Sequence, residues 1–275
     1  MYSTKTLYIQ AVKNDLLKSG MKDFLAGLAL WRMFIYLGWE DIRQRYVRTF
    51  LGPLWLIIGT AMWVGVMGFV MAALFGNSVA STLPFIASGT LIWTFIANTM
   101  NDSCTLFVGS SSIIHSVSLP LSLHVLRFLV RNFIIFAHNF LIIIVVFLGC
   151  HVSLNANTLL ALPGLFVLLL NALWVGTFIG ILNTRYRDIQ QVVATSMTVL
   201  PFITPIFWEK AFLKKHNWIA TANPFYHAVE IVRAPLLGHA PAMSSWAIMG
   251  GITLMGGLLM LGLFSKYKNR VIYWL

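Results

Sequence analysis

The chain has 275 residues, of which 59% are hydrophobic and only 10% charged, and its mean hydropathy is +0.81. A water-soluble domain carries about 25% charged residues, so this composition excludes one and calls for an integral membrane protein. The +11 net charge does not mark a nucleic-acid surface, because the basic residues flank two blocks, 49–101 and 132–184, that hold no Asp, Glu, Lys or Arg. Charge gathered at block edges is a topology signal.

The segment 39–55, WEDIRQRYVRTFLGPLW, leads into the first block. At helical spacing Trp31, Ile35, Trp39, Ile42, Tyr46 and Phe50 share one stripe, with Glu40, Asp41, Gln44, Arg45 and Arg48 beside or opposite it. Such a helix rests in the headgroup layer, its stripe in lipid and its arginines near phosphates. No compact apolar core followed by a small-residue cleavage site precedes it, so the first span is expected to be retained.

Six spans are expected, since each 53-residue block holds two stretches of about 20 residues and a turn. The first covers 51–75 and ends at Gly76-Asn77-Ser78. The second begins near Pro84, with Ser81 or Thr82 as N-cap, and ends near 106. A polar connector at 110–120, long enough for a short helix, leads to the third span at 128–150 and the fourth at 159–182. The loop NTRYRD (183–188) precedes the fifth at 189–208, and the sixth covers 246–264. The corresponding organisation is a tail with an amphipathic helix (1–50), a membrane domain (51–265) and a second tail (266–275). The fold class is all-α.

Fifteen of the 19 lysines and arginines fall on the side of the two termini. By the positive-inside rule both termini are cytoplasmic. Between the fifth and sixth spans, Asn223-Pro224 is a helix start and Pro235 a stop after about three turns. A helix that short cannot cross about 30 Å of hydrocarbon. It reads as a re-entrant or interfacial outer helix, or as an ordinary extracellular one, with Glu230 and Arg233 spaced to pair.

Chemistry-bearing motifs are sparse. There is no P-loop, no His-Glu-x-x-His and no ligand-like histidine spacing, so neither catalytic residues nor a metal site are expected. Cys104 and Cys150 read as small apolar residues, and His138 as a packing or hydrogen-bonding residue. Asp102 is placed to pair with Arg127 or Arg131. Gly176 and Gly180 permit a close helix approach. Sugars stack on aromatic faces through their C–H faces, which makes Trp63, Phe69, Phe202, Phe207 and Trp208 candidates for a substrate path. The NTRYRD loop, with Arg185, Arg187 and Asp188, is either a topology anchor or, with the 110–120 connector, a docking surface for a soluble partner.

The run 39–55, the connector ending in Ser118-Leu119-Pro120, RYRDI at 185–189, TPIFW at 204–208 and NPFYHAVEIVRAPLLG at 223–238 together resemble ABC-2 type permeases that export polysaccharides, most of all the O-antigen permeases. The resemblance implies a homodimer of six-span subunits in the bacterial inner membrane, bound to two copies of a separate ATPase that holds ATP and Mg. It implies a channel lined by the first and fifth spans and a polymer carried on polyprenyl diphosphate. Capsule or teichoic-acid polymers and small lipids or drugs are the alternative cargoes, and a polyprenyl-phosphate-dependent transferase the alternative class. On this resemblance Arg43, Arg45 and Arg48 meet the diphosphate. Ser112, His115, Ser118, Pro120, Arg185, Arg187 and Asp188 contact the ATPase. The connector carries no Lys or Arg, so contact there rests on shape, hydroxyls and His115.

Overall fold

The computed structural model describes residues 4–47, 49–52 and 54–275, with side chains described from residue 17 onward except at 214 and 215. Among the described residues the chain is helical without strands. It opens with α1 (Thr4–Ala29) and α2 (Trp31–Tyr46). Among the described residues five helices are long and apolar enough to cross a membrane: α3 (Leu54–Phe75), α4 (Val79–Thr105), α6 (Leu121–Gly149), α7 (Ala161–Arg185) and α11 (Met243–Trp274). Between them lie the short α5 (Ser111–Ser116), α8 (Ile189–Ile203), α9 (Trp218–Thr221) and α10 (Pro224–Leu236).

The fifth expected span is α8, and it stops at Ile203 rather than 208. Its 15 residues reach about 22 Å at 1.5 Å per residue, less than the hydrocarbon thickness. The stop has a local cause. Thr204 precedes Pro205, whose ring disfavours the α region for its predecessor, and Thr204 sits at φ −89°, ψ 133°.

Other boundaries move for reasons of capping. Ser78, rather than Ser81 or Thr82, caps α4, its hydroxyl accepting from the Ser81 N–H at 3.2 Å, so Pro84 lies inside the helix. The expected break before it is present: Gly76 takes φ +67° and the Asn77 N–H returns to the Ala72 carbonyl at 3.0 Å. α6 starts at Leu121, seven residues before the expected span, because the Asp23 carboxylate of α1 accepts the Ser122 N–H at 3.1 Å and so caps it from outside. α11 continues beyond 264 to Trp274.

α4 is the centre of the bundle, packing against α3, α6, α7, α8 and α10. α10 is wedged among α4, α7 and α11, with Val229 and Ile231 fully buried. It is therefore not an ordinary surface helix. A β-carbon at Gly164 would overlap the Ile231 carbonyl, so glycine sets the α7–α10 distance. Asn223 caps α10 as expected, accepting from Phe225 N–H at 2.9 Å, and the helix runs one residue past Pro235 before Gly238 turns it at φ +85°. Gly176 and Gly180 face Phe128 and Phe107, so this pair serves packing within the chain. α1 and α2 lie across the end where α6 begins and α11 finishes, and Lys268 donates to the Ser19 carbonyl at 2.9 Å.

Candidate functional site

Four of the five path candidates come together where α3 meets the turn after α8. The Trp63 ring lies edge-on to Phe207 at 6.4 Å, and Phe202 lies 6.3 Å from Phe207. The Trp208 indole N–H donates to the Phe202 carbonyl at 3.3 Å. Phe69 does not join them. Six residues beyond Trp63 at about 100° each, it faces another side of α3 and is exposed.

Beside the aromatics is a cavity of about 340 Å³ lined by Gly59, Thr60, Trp63, Thr90, Trp93, Thr94, Pro201 and Phe207. It mixes rings with hydroxyls. The Thr90 hydroxyl is buried and has no hydrogen-bond partner among the described residues. Sequence reasoning missed Thr60, Thr90, Trp93 and Thr94, because threonines in an apolar run read as packing.

α8 continues this surface. Gln191, Thr195, Thr198 and Phe202 recur at four, three and four residues, which is one helical stripe, and all are exposed. Val193, Met197 and Pro201 on the other side are buried against the bundle. The Thr198 hydroxyl donates to the Ala194 carbonyl of its own helix at 3.0 Å. The Gln191 amide, however, keeps capacity beyond its 3.5 Å contact with Thr195, and an amide turned outward is costly against lipid. The stripe therefore suits a wet path or a second protein surface.

A buried cation holds the turn in place. Arg233 of α10 donates to the Pro205 carbonyl at 2.6 Å and to Glu230 at 2.8 Å, with its guanidinium 4.3 Å from the Phe85 ring centre. The expected Glu230–Arg233 pair thus exists, and its larger role is to anchor TPIFW. Asn223 adds a second tie, donating to the Thr204 hydroxyl at 2.9 Å.

At the basic end of the bundle a chain of charges joins three helices. Arg131 pairs with Asp102 at 2.9 Å and lies 3.7 Å from Asp41, while Arg127 holds Asp41 through two guanidinium nitrogens. Asp102 is accordingly an ion-pair residue, as its position suggests. Asp41, on the polar flank of α2, was not foreseen as the bridge. Gly38 and Ile42 of α2 are buried against α6, whereas Trp31, Ile35 and Trp39 are exposed. Arg43 reaches back to Glu40 at 3.0 Å, and Arg45 is exposed. Arg48 lies outside the described residues.

The two connectors project at this same end. α5 shows Ser112 and His115 outward and packs Ile114 inward beside Phe107 and Phe264; Ser118 is exposed, and Pro120 stands at the start of α6. Arg185, Arg187 and Asp188 are exposed in the tight turn from α7 to α8. Asn183 braces that turn, donating to the Cys104 carbonyl at 2.7 Å and accepting from Gln190 N–H at 3.0 Å. Among the described residues no group of three His, Cys, Asp or Glu could hold a metal. His138 bonds within its own helix, its Nδ1 lying 2.8 Å from the Ile134 carbonyl.

A family described as ABC-2 type transporter matches residues 32–237. Two proteins of Klebsiella pneumoniae, both O-antigen export system permease protein RfbA, are each 20% identical over 197 residues, covering 71% of this chain and 76% of theirs.

Proposed function

The chain belongs to the ABC-2 type transporter family, and we propose that it is the permease subunit exporting a lipid-linked polysaccharide of the O-antigen kind across a bacterial inner membrane. The observation that carries this reading is the outward stripe Gln191–Thr195–Thr198–Phe202 beside the Trp63–Phe207 aromatic pair. A polysaccharide needs both kinds of surface, rings for its C–H faces and polar groups for its hydroxyls. α3 buries only Val64, Gly68 and Ala72, leaving most of its surface for a second copy or for cargo. Two subunits that face each other through α3 and α8 enclose a path with that lining.

The basic end is then cytoplasmic, in keeping with the charge count. ATP and Mg belong to a partner ATPase present in two copies, and the permease itself performs no chemistry. α5 and the 185–188 turn are the contact elements for that ATPase. Motion imposed there reaches the spans through Asn183, which ties the turn to α4. Arg43, Arg45 and Arg48 meet the diphosphate of the carrier as it approaches α2. Replacing all three by Gln should reduce export while leaving membrane insertion intact; equal loss of both would overturn that role.

Deletion in the host, with separate assay of surface polymer and of polymer held on its lipid carrier inside the cell, tests the function as a whole. Loss at the surface with accumulation inside supports translocation. Unchanged surface polymer contradicts the polysaccharide reading and favours a small lipid or drug as cargo.

A further inference from the structure

Away from the aromatic path, α7 and α11 run together, with the Trp174 indole seated over Gly256 where a β-carbon would collide. Two cavities border these helices, and Phe178 lines both. The upper one, about 320 Å³, is walled almost wholly by hydrocarbon and rings from α4, α7, α10 and α11, Val175 and Phe225 among them. The lower one, about 370 Å³, lies at the basic end and is lined by Arg185, Tyr186, Tyr267, Arg270 and Trp274.

The charges in the lower cavity are not neutralised internally. Arg185 lies 5.5 Å from the Trp274 ring centre and Arg270 lies 5.9 Å from that of Tyr267. Neither has a carboxylate within salt-bridge distance among the described residues. The buried and half-buried cations of the bundle, Arg127, Arg131, Arg233 and Lys268, all face carboxylates, whereas Arg185 and Arg270 are exposed at the mouth of this cavity and face rings. Two guanidiniums beside tyrosine and tryptophan, below an apolar slot, match a molecule with an anionic head and a hydrocarbon chain. Arginine forks suit phosphate oxygens, the aromatic rings suit the level of the headgroups, and an apolar cavity in hydrocarbon excludes water and accepts a chain.

We propose that the α7–α11 slot binds a lipid whose phosphate head carries net negative charge, its phosphate between Arg185 and Arg270 and its chain past Phe178 into the upper cavity. The site shares no lining residue with the aromatic cavity of the path. It depends on the chain being embedded in a membrane and not on the identity of the cargo. It also divides the 185–188 turn, with Arg185 turned back onto α11 for lipid and Arg187 and Asp188 left for a soluble partner.

The test is native mass spectrometry of the delipidated full-length protein titrated with phosphatidylglycerol, a polyprenyl phosphate and phosphatidylcholine. One anionic lipid should bind at least about tenfold more tightly than phosphatidylcholine, since each basic residue near a headgroup contributes about 1 kcal/mol. The double change R185Q/R270Q should remove that preference. R185K/R270K, which keeps both charges, should retain part of it, and V175F should weaken binding by filling the upper cavity. K18Q/K22Q removes the same charge from exposed positions on α1 and should change nothing. Tighter binding of phosphatidylglycerol identifies a bulk membrane lipid as the occupant, and tighter binding of the polyprenyl phosphate identifies a carrier lipid. Equal affinity for phosphatidylcholine, or an equal loss in K18Q/K22Q, overturns the proposal. Because these readouts involve neither polymer nor ATP, failure here leaves the export reading standing, and failure of export leaves the lipid site standing.

Discussion

Arg233 is a buried tie between α10 and the turn after α8. It is 4% exposed and satisfies both Glu230 and the Pro205 carbonyl. Arg233→Met would leave a half-buried carboxylate and a buried carbonyl without their partner, and breaking such a pair costs about 3 kcal/mol. We expect a correspondingly lower unfolding temperature in detergent, with Arg233→Lys recovering little because one ammonium cannot serve both acceptors in the same plane. Full stability of Arg233→Met would show that the turn is held by Asn223 alone. At the other end, Asp41 and Arg127 should show a coupling of about 1 kcal/mol or more in a double-mutant cycle of stability, whereas independent effects would mean that α2 and α6 are joined by packing only. The Glu230–Arg233 pair was legible in the sequence because partners three residues apart on a helix must meet. Asp41 was not, since its partners lie 86 and 90 residues on and only the packing of α2 against α6 brings them near.

Among the elements, α2 and α8 carry the most specific consequences. A β-carbon at Gly38 would stand 2.9 Å from the Val130 side chain and 3.1 Å from the Arg127 carbonyl. Gly38→Leu should therefore wedge α2 off α6, abolishing export while the protein still inserts; unchanged export would show that this contact transmits nothing. For α8, changing Thr195 and Thr198 together to Leu should reduce surface polymer at least about tenfold without loss of protein, because each hydroxyl that a sugar must do without leaves a polar group unpaired. Surface polymer at the normal level would place the path elsewhere. Apolar runs made the long helices readable from sequence, with α3, α4, α6, α7 and α11 all at the expected places. Their ends were less readable. The early start of α6 depends on Asp23, 99 residues away. The early stop of α8 was inherent in Thr204-Pro205, although a purely apolar criterion carried that span on to Trp208.

At the scale of the whole molecule, one end is basic and bears the two projecting connectors, and one side carries the aromatic and hydroxyl surface. The division of labour we propose rests on that geometry: docking and lipid contact at the end, cargo along the side, and α4 between them packing against α3, α6, α7, α8 and α10. Charge asymmetry supports the orientation we propose, in which a substituted cysteine at 187 should react with a membrane-impermeant maleimide only after the cells are opened, whereas one at 241 should react in intact cells. The aromatic site was half legible. Ring-bearing positions could be nominated from composition, but their convergence needed the break at Thr204 and the burial of Arg233, both products of tertiary packing.

The central claim is that cargo passes along the α3–α8 face, and photo-crosslinking in cells tests it most directly. A benzophenone amino acid placed at Thr198 or Trp63 should become joined to polymer when export is slowed, while one at the exposed Leu141 of α6 should not. Equal labelling at all three positions, or labelling at Leu141 alone, would contradict the account.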